Sequence, residues 1–506
     1  MATTYQAPGV YVIEDPSGSA PIAGVGTSTA GFIGVFGSGS SSTPVPTSTQ
    51  PTFEDVGREG EPVEIGTGDG NTREFDLPKP ANLASAEVVT DSGFKFFVGG
   101  RERTAVTLKN EGNRAIVTFQ TAPGNEAKIT GFFRLRVPAP VTAPVSSNGG
   151  SSTTVVAAPI ATPDLAAAGE VKLCTNFSEF KKFFGEFSTN PGQNLLAHAV
   201  FGFFRNGGTR CFVVQVNQEN DIRSALGKFE AIDEIAIVAA PGITTKSVLI
   251  DINDHCKNLG DRVAIFDTPE NVADDKGNLN TALLEPTNAQ KVIPDNSDYA
   301  ALYFPWIQVF DPASGKNKYV PPSGHIAGIY ARVDTQRGVF KAPANETVLG
   351  AIGLKYDISK NHQQSLNPNG INCIRSLNGN IRVWGARTLG GDGNGEFKYI
   401  NVRRLFNYLR ESIDEGTQWT VFEPNAPDLW ARIRRNINAF LLMAWRSGAL
   451  FGTTPEQAFF VKCDEETNPP EVRDAGQVVT EIGVAVVKPA EFVIFRIKQW
   501  AGPGGS

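Results

Sequence analysis

Apolar and polar residues alternate near both ends of the chain, in residues 8–15 (PGVYVIED) and 491–500 (EFVIFRIKQW). Both stretches are rich in β-branched and aromatic residues, which predicts strands. Chain ends are usually frayed and polar, so we expect these strands to need cover from their own chain or from another. The residues concerned are Val10, Tyr11, Val12, Ile13, Phe492, Val493, Ile494, Phe495, Arg496 and Ile497.

Two segments rich in Ser, Thr, Pro and Gly, residues 37–51 and 138–163, predict linkers, because this composition cannot build a core. Between them, residues 52–137 carry alternating strands and a hairpin signal at Gly99–Gly100. We therefore expect an all-β, sandwich-like domain inserted into a surface loop of another domain. Residues 1–36 are then an N-terminal arm and the first part of the domain that continues at residues 336–490.

Residues 164–335 show a different pattern, with short apolar runs at 211–216, 234–242, 262–269 and 299–312. Helix-compatible segments separate these runs, which predicts an α/β domain with a largely parallel, buried sheet. Such a domain leaves open an alternative function as a hydrolase-like enzyme. Its site would lie at the carboxyl ends of the strands, for example at Asp267.

Residues 336–490 carry the clearest helical periodicity, in 397–413 and again in 425–448. We expect Asn425 to cap the second helix and Gly448 to end it. A short helix with a Thr454–Gln457 capping box should follow, and then a strand before the terminal arm at 491–506. The whole chain is thus predicted to be a multidomain protein of mixed α/β and α+β class.

Composition narrows the function. The chain has 506 residues, a net charge of −7 and no long basic run, so nucleic-acid binding has little support. No apolar run approaches 18 residues, so we expect no membrane span. The N-terminus has no basic segment followed by an apolar one, so we expect no secretory signal. The five cysteines are scattered and odd in number, which predicts reduced, buried thiols.

A search for catalytic and ligand-binding motifs finds none that is specific. No phosphate-binding G-x-x-x-x-G-K-[ST] motif is present. The glycine-rich segment 24–37 is better explained as a small-residue strand packed against another backbone than as a dinucleotide loop. None of the four histidines lies beside another at metal-ligand spacing. We therefore expect no catalytic residue, metal site or cofactor.

A basic helix face offers an interaction surface instead. Arg432, Arg434 and Arg435 lie close together on the second predicted helix. Basic residues on a polar helix face are usually only solvated. The alternative is docking to an acidic protein surface, where complementary charge sets register and specificity.

Several long motifs resemble those of contractile tail sheath proteins. They occur in the family's order along most of the chain outside residues 52–137. The motifs are FFRNGGTRCFVVQV at 203–216, RVWGARTL at 382–389, FKYINVRRLFNYLRESI at 397–413, VFEPN at 421–425, and EIGVAVVKPAEFVIFRI at 481–497.

The resemblance implies a structural subunit rather than an enzyme. Sheath subunits polymerise as stacked hexameric rings around an inner tube and contract to drive it through a target envelope. In this family the terminal arms lend strands to neighbouring subunits. The region 336–490, together with the extreme N-terminus, forms the inner wall, whereas the α/β domain and any inserted domain face outward. Arg432, Arg434 and Arg435 are then candidates to face the tube.

The resemblance also implies partners and a location. The partners are further copies of this chain, an inner tube protein, and baseplate and terminator or cap proteins. Assembly takes place in the bacterial cytoplasm, and the product is part of a phage virion or a phage-tail-like particle. The motifs leave open whether that particle is a phage, a bacteriocin or a cellular injection system.

Overall fold

The computed structural model describes residues 21–37, 52–56, 62–78, 87–88, 94–104, 106–111, 114–137, 165–284 and 296–496. The chain divides into two compact units. Met1–Ser41 and Ile160–Ser506 form the first, which we call the body, and Ser42–Pro159 form the second, which we call the β unit. Apart from residue 37, both predicted linkers lie outside the described residues.

The strands are, in chain order, β1 Ala30–Val35, β2 Thr52–Val56, β3 Val63–Thr67, β4 Glu74–Asp76, β5 Glu87–Val88, β6 Lys95–Val98, β7 Arg101–Arg103, β8 Val106–Glu111, β9 Arg114–Phe119, β10 Lys128–Val137, β11 Val171–Cys174, β12 Cys211–Val216, β13 Ile237–Ala239, β14 Val263–Asp267, β15 Ala300–Phe304, β16 Ile307–Asp311, β17 Lys316–Val320, β18 Glu346–Thr347, β19 Gly353–Leu354, β20 Ile371–Leu377, β21 Asn380–Val383, β22 Phe459–Lys462 and β23 Glu481–Val484.

The α-helices are α1 Phe177–Phe184, α2 Pro191–Arg205, α3 Ile222–Phe229, α4 Lys246–Leu259, α5 Ser323–Arg337, α6 Lys360–Leu366, α7 Ile400–Thr417, α8 Pro427–Arg446, α9 Pro455–Ala458 and α10 Pro470–Asp474.

A nine-stranded sheet forms the centre of the body, in the order β11-β12-β1-β13-β14-β15-β20-β21-β18. The six strands from β12 to β20 run parallel, and antiparallel strands complete both edges. The prediction of a largely parallel, buried sheet is therefore confirmed. Helices α2 and α5 pack on one face of this sheet and α3 and α4 on the other.

Strand β1 lies inside this sheet, between β12 and β13. The glycine-rich segment is thus a strand against other backbones, as predicted. Its small residues are required, since a Cβ added to Gly34 would lie 2.6 Å from Leu196 Cδ2 of α2. Residues 30–35 therefore lie within the sheet that contains the strands of the predicted α/β domain at 164–335, and leaving them out of that domain is wrong.

The predicted boundary between residues 335 and 336 is also wrong, because the sheet continues past it. Strand β20 pairs in parallel with β15, with Ile371 opposite Leu302. Strands β21 and β18 then extend the same sheet. Because β15 and β20 are far apart along the chain, no local sequence pattern predicts that they pair.

The helical part of the body packs α7 against α8 and the small β22–β23 sheet. Helix α8 buries seven apolar side chains, including Ile433, Ile437 and Leu441 at helical spacing, as predicted. Burying a side chain of this size contributes about 1.5–3 kcal/mol, so this face holds the helix in place.

Asn425 does not cap α8, and the predicted capping box of α9 is not formed, although Thr454 is the N-cap residue there. Ala426 is the N-cap of α8, because Asn425 is used elsewhere: its Oδ1 accepts from Trp430 Nε1 at 2.8 Å and its Nδ2 donates to the Gln477 carbonyl. At α9 the Thr454 side chain forms no capping hydrogen bond. Instead Gln457 Oε1 accepts from the Thr453 amide and hydroxyl.

The β unit consists of antiparallel pairs. One sheet follows the order β2-β10-β6-β7, with β3 and β5 also on β10, and a second follows β4-β9-β8. Phe96 and Phe133 of the first sheet share a core with Phe119 of the second. The predicted hairpin is present, with Gly99–Gly100 joining β6 to β7.

A buried ion pair joins three separate parts of the body. Arg404 of α7 donates to Asp334 of α5 through Nη1 at 3.0 Å and Nη2 at 2.5 Å. The two side chains are only 3% and 5% exposed. Thr27 completes the junction: its carbonyl accepts from Arg404 Nη2 at 2.9 Å, and its hydroxyl donates to Asp334 at 2.7 Å.

Replacing Asp334 by Asn should destabilise the body, because Arg404 then stays buried without its counter-charge. Breaking a buried pair from one side costs about 3–5 kcal/mol, and we expect a loss of this size in the free energy of unfolding. Urea unfolding followed by circular dichroism measures it. The matched control is Asp275→Asn, at an exposed aspartate. Equal stability of the two variants would contradict a structural role for the pair.

Candidate assembly interface

The end of the described chain presents a row of exposed apolar side chains. Phe492, Val493, Ile494 and Phe495 are 69%, 68%, 80% and 84% exposed. Monomeric proteins rarely expose a continuous apolar patch unless it binds something. This run is therefore the strongest candidate for an interface within the described residues.

The same segment is not a strand in its own chain, contrary to the expectation that 491–500 forms one. Residues 491–496 have no strand assignment. The physical reason is that a strand needs an edge to pair with, and no strand of the described chain hydrogen-bonds to residues 492–496. Ile497 lies outside the described residues, as do Val10, Tyr11, Val12 and Ile13 of the other predicted arm.

The β22–β23 sheet has only two strands among the described residues, and directly after β23 an antiparallel bridge joins Val486 to Leu450. Phe460 of β22 is 52% exposed and lies over Gly483 of β23. A Cβ at Gly483 would lie 2.1 Å from Phe460 Cε1, so the ring covers the strand backbone directly. A lone two-stranded sheet is marginally stable, and additional strands would stabilise it.

The exposed run leaves the body at Glu491, which is held in place. Its carboxylate accepts hydrogen bonds from Arg387 Nε and Nη2, both at 2.8 Å. It also accepts from Asn367 Nδ2 at 2.7 Å and from the Tyr399 hydroxyl at 2.8 Å. The arm therefore begins at a fixed point although its apolar side chains are free.

The N-terminal side of the chain enters the body along α7. Ile22 is buried in the helical cluster, and a Cβ on Gly416 would lie 2.6 Å from it. The Val25 amide donates to Ser412 Oγ at 3.1 Å. The residues that come after the predicted N-terminal arm are therefore fixed against the same helical region as β22.

The three arginines of α8 differ in their surroundings. Arg432 Nη2 donates to Glu423 at 2.8 Å, and its guanidinium lies 4.9 Å from the Trp419 ring centre. Arg434 Nη1 donates to the Cys463 carbonyl. Arg435 is exposed, and no partner for its side chain occurs among the described residues. Of the three, Arg435 has the guanidinium with most freedom to meet another protein.

Asp267, the residue of the alternative enzyme function, lies at the end of β14 but is buried at 2% exposure. Its carboxylate accepts from the Ser323 amide and hydroxyl at the start of α5, and from the Gly242 amide. Burial raises its pKa to about 6 despite these hydrogen bonds. Its contacts make it a support for the start of a helix.

Neither a metal site nor a membrane helix is visible in the described part of the chain. No group of three or more His, Cys, Asp and Glu side chains there is arranged to hold an ion. No described helix has the length and apolarity to cross a bilayer. The five cysteines are free and buried, as predicted.

The group around Glu491 was not predicted from the sequence. Arg387, Tyr399 and Asn367 lie far from Glu491 along the chain. Although Arg387, Tyr399 and Glu491 each fall within one of the sheath-like motifs, no local pattern connects these motifs. The sequence offers one local signal: Glu491 is an acidic residue directly before four consecutive apolar residues. The pattern of this stretch predicts a strand and does not indicate an ion pair.

Comparison with known proteins agrees with these features. The domain described as the phage tail sheath protein central domain matches residues 216–389, and the phage tail sheath C-terminal domain matches residues 392–499. The first match ends just after the nine-stranded sheet does, and not at the predicted boundary near residue 335. The second contains Glu491 and the exposed run.

Curated tail sheath proteins are similar over part of their length. The tail sheath protein of Vibrio phage KVP40 is 29% identical over 219 residues, which are 42% of this chain and 31% of that protein. The tail sheath protein of Burkholderia phage BcepMu is 27% identical over 270 residues, 51% of this chain and 54% of that protein. This chain thus matches about a third to a half of these relatives.

Solved sheath structures are similar over nearly their whole length. The sheath of PVC, an extracellular contractile injection system, in its contracted state is 27% identical with a TM-score of 0.55, covering 70% of this chain and 99% of that one. The contracted helical sheath of the anti-feeding prophage is also 27% identical with a TM-score of 0.55, covering 71% and 100%. With two sheath domains matching more than half of its residues, the chain belongs to the contractile tail sheath family.

Proposed function

We propose that this protein is the repeating subunit of a contractile sheath that polymerises as stacked hexameric rings around an inner tube. Contraction of the sheath drives the tube through a target envelope. The observation that carries the proposal is the exposed apolar run at 492–495, which has no partner strand among the described residues of its own chain. A polymer of identical subunits supplies that partner.

Strand donation is the proposed contact between subunits. Residues 492–497 of one subunit add to an open edge of the β22–β23 sheet of a neighbour, and Val10–Ile13 of the N-terminal arm join a neighbour's sheet in the same way. Backbone hydrogen bonds then complete the ladder. Covering each apolar side chain contributes up to about 1.5–3 kcal/mol, reduced by the entropy lost on ordering the arm.

The two sides of the subunit have different proposed roles. The region from α7 to β23, with the extreme N-terminus, faces the inner tube, and the exposed guanidinium of Arg435 supports this orientation. The nine-stranded α/β sheet and the β unit face outward. The family match supports this assignment of an inner and an outer side. Strands β18, β20 and β21 belong to the outer side in this proposal, because they are part of the nine-stranded sheet.

Contraction in this proposal draws on energy stored during assembly, as an extended lattice relaxes to a better-packed one. Contraction in this proposal needs no cofactor. The further partners are the inner tube protein, the baseplate and a terminator or cap protein. Assembly in the bacterial cytoplasm would then yield a phage virion or a phage-tail-like particle.

Removing residues 492–506 while keeping Glu491 should leave a folded subunit that does not polymerise. The truncation deletes only the exposed run and the residues after it, so thermal unfolding of the body should be nearly unchanged. Negative-stain microscopy and sedimentation should show subunits without tubes. Normal tubes from this variant would rule out donation of the C-terminal strand.

A single substitution tests the same contact more finely. Ile494→Pro removes a backbone donor and disrupts the strand, whereas Ile494→Val keeps a β-branched residue at the same position. We expect the proline variant to lose tubes and the valine variant to keep them.

Arg435→Glu should weaken binding of the sheath to the tube. An exposed charge pair contributes roughly 0.2–1 kcal/mol, and reversal adds repulsion, so we expect a loss of about threefold to tenfold in co-sedimentation with the tube protein. Arg101→Glu, an equal charge change at an exposed position on β7 of the outward-facing β unit, is the control. Equal binding by both variants would remove Arg435 from the tube contact.

A further inference from the structure

A donated strand is useful only if its root is firmly attached, and the structure gives that root two routes into the body. One is the backbone path back to β23. Along it, the Val487 amide donates to the Ala449 carbonyl and the Ala485 carbonyl accepts from the Phe451 amide, before β23 pairs with β22. The other is the side chain of Glu491, one residue before the exposed run. A pull on the arm could open the β22–β23 pairing one hydrogen bond at a time unless the second route carries it.

The second route is a complete set of contacts on one carboxylate. Oε1 of Glu491 accepts from Arg387 Nε and Asn367 Nδ2, and Oε2 accepts from Arg387 Nη2 and the Tyr399 hydroxyl. The pair of bonds from Arg387 has the parallel, bidentate geometry that makes arginine–carboxylate contacts strong and directional. The two side chains are 3% and 18% exposed, so solvent screens the pair little.

Arg387 is in turn attached to the nine-stranded sheet. Its amide donates to Asn372 Oδ1 at 2.7 Å, and Asn372 Nδ2 donates to the Arg387 carbonyl at 2.8 Å. Asn372 is fully buried on β20 and pairs with Tyr303 of β15. Arg387 Nη1 also donates to the Asn367 carbonyl at 2.9 Å. A short chain of polar contacts thus runs from the arm root to the interior of the largest sheet.

We propose that the Arg387–Glu491 ion pair is a clasp that transfers tension on the C-terminal arm to the nine-stranded sheet, bypassing β22–β23. This rests on the proposed function, because only a donated strand experiences such tension. Glu491 is a positioning residue here: it fixes where, and in which direction, the arm leaves the body. Tyr399, the N-cap residue of α7, ties the helical part to the same point.

The charges around the clasp keep it closed at neutral pH. Burial would raise the pKa of Glu491, but hydrogen bonds from Arg387, Asn367 and Tyr399 outweigh burial and hold it below its ordinary 4.5. The other charged groups nearby are Asp392, which accepts from Arg387 Nη1, and Lys398, which pairs with Asp392. Because the pKa is lowered, the clasp is present above 4.5 and is lost as pH falls through the lowered value.

The first test measures the arm root in the unassembled full-length subunit. A nitroxide attached at Ile494→Cys reports local motion, since the native cysteines are buried. Glu491→Gln should increase the mobility of the label, and Glu465→Gln, at an exposed glutamate, should not. Acidification through the lowered pKa of Glu491 should mobilise the label in the parent and leave the Glu491→Gln spectrum unchanged. An unchanged spectrum in Glu491→Gln at neutral pH would overturn the clasp.

The second test measures how fast assembled tubes of unlabelled protein dissociate. Tubes of Glu491→Gln should form but dissociate under dilute urea about tenfold faster than parent tubes, because a buried, hydrogen-bonded charge has lost its partner. Tyr399→Phe removes one hydrogen bond and no charge, so it should shift dissociation in the same direction by less. A mobile label combined with parent-like tube dissociation would overturn the transfer of tension through the clasp.

The outcomes also separate this inference from the proposed function. If the truncated subunit lacking 492–506 still forms tubes, strand donation fails whatever the label reports. If truncation abolishes tubes and Glu491→Gln changes neither label mobility nor dissociation, donation stands and the clasp is wrong. Thermal unfolding of each variant before assembly confirms that the body is folded in both comparisons.

Discussion

The buried pair between Arg404 and Asp334 is the contact on which the arrangement of the body depends. It joins α7 to α5, and both side chains hydrogen-bond to Thr27 in the segment before β1. Three parts of the body therefore meet at this pair: the segment before β1, helix α5 on the sheet, and helix α7. Two charges at this depth persist only because each satisfies the other. The position of α7 then fixes Tyr399, and with it the point where the C-terminal arm leaves.

From that point outward, the described residues expose apolar side chains that no described strand covers. Four consecutive apolar side chains are exposed after Glu491, and β22 and β23 pair with no third named strand among the described residues. Addition of a strand to a sheet edge would account for both features, because it pairs the backbone N–H and C=O groups of the strand and covers its side chains. In the proposed lattice, each subunit supplies one edge and one strand.

The sequence predicted the features that depend on local order. Leu405 and Leu409 on α7, and Ile433 and Ile437 on α8, follow helical spacing and are buried as expected. The apolar strands of the parallel sheet were equally evident. The features that could not be predicted depend on contacts between distant residues: β1 enters the sheet across an inserted unit, β20 joins it far from β15, and Glu491 meets Arg387. Each is decided by tertiary packing, which local propensity does not encode.

Hydrogen–deuterium exchange of the backbone amides at 492–496, compared before and after assembly, tests the central claim most directly. We expect rapid exchange in the isolated subunit, where these residues have no partner strand, and strong protection in assembled tubes, where they become part of a neighbour's sheet. Protection already present in the isolated subunit, or rapid exchange that persists in tubes, would contradict strand donation.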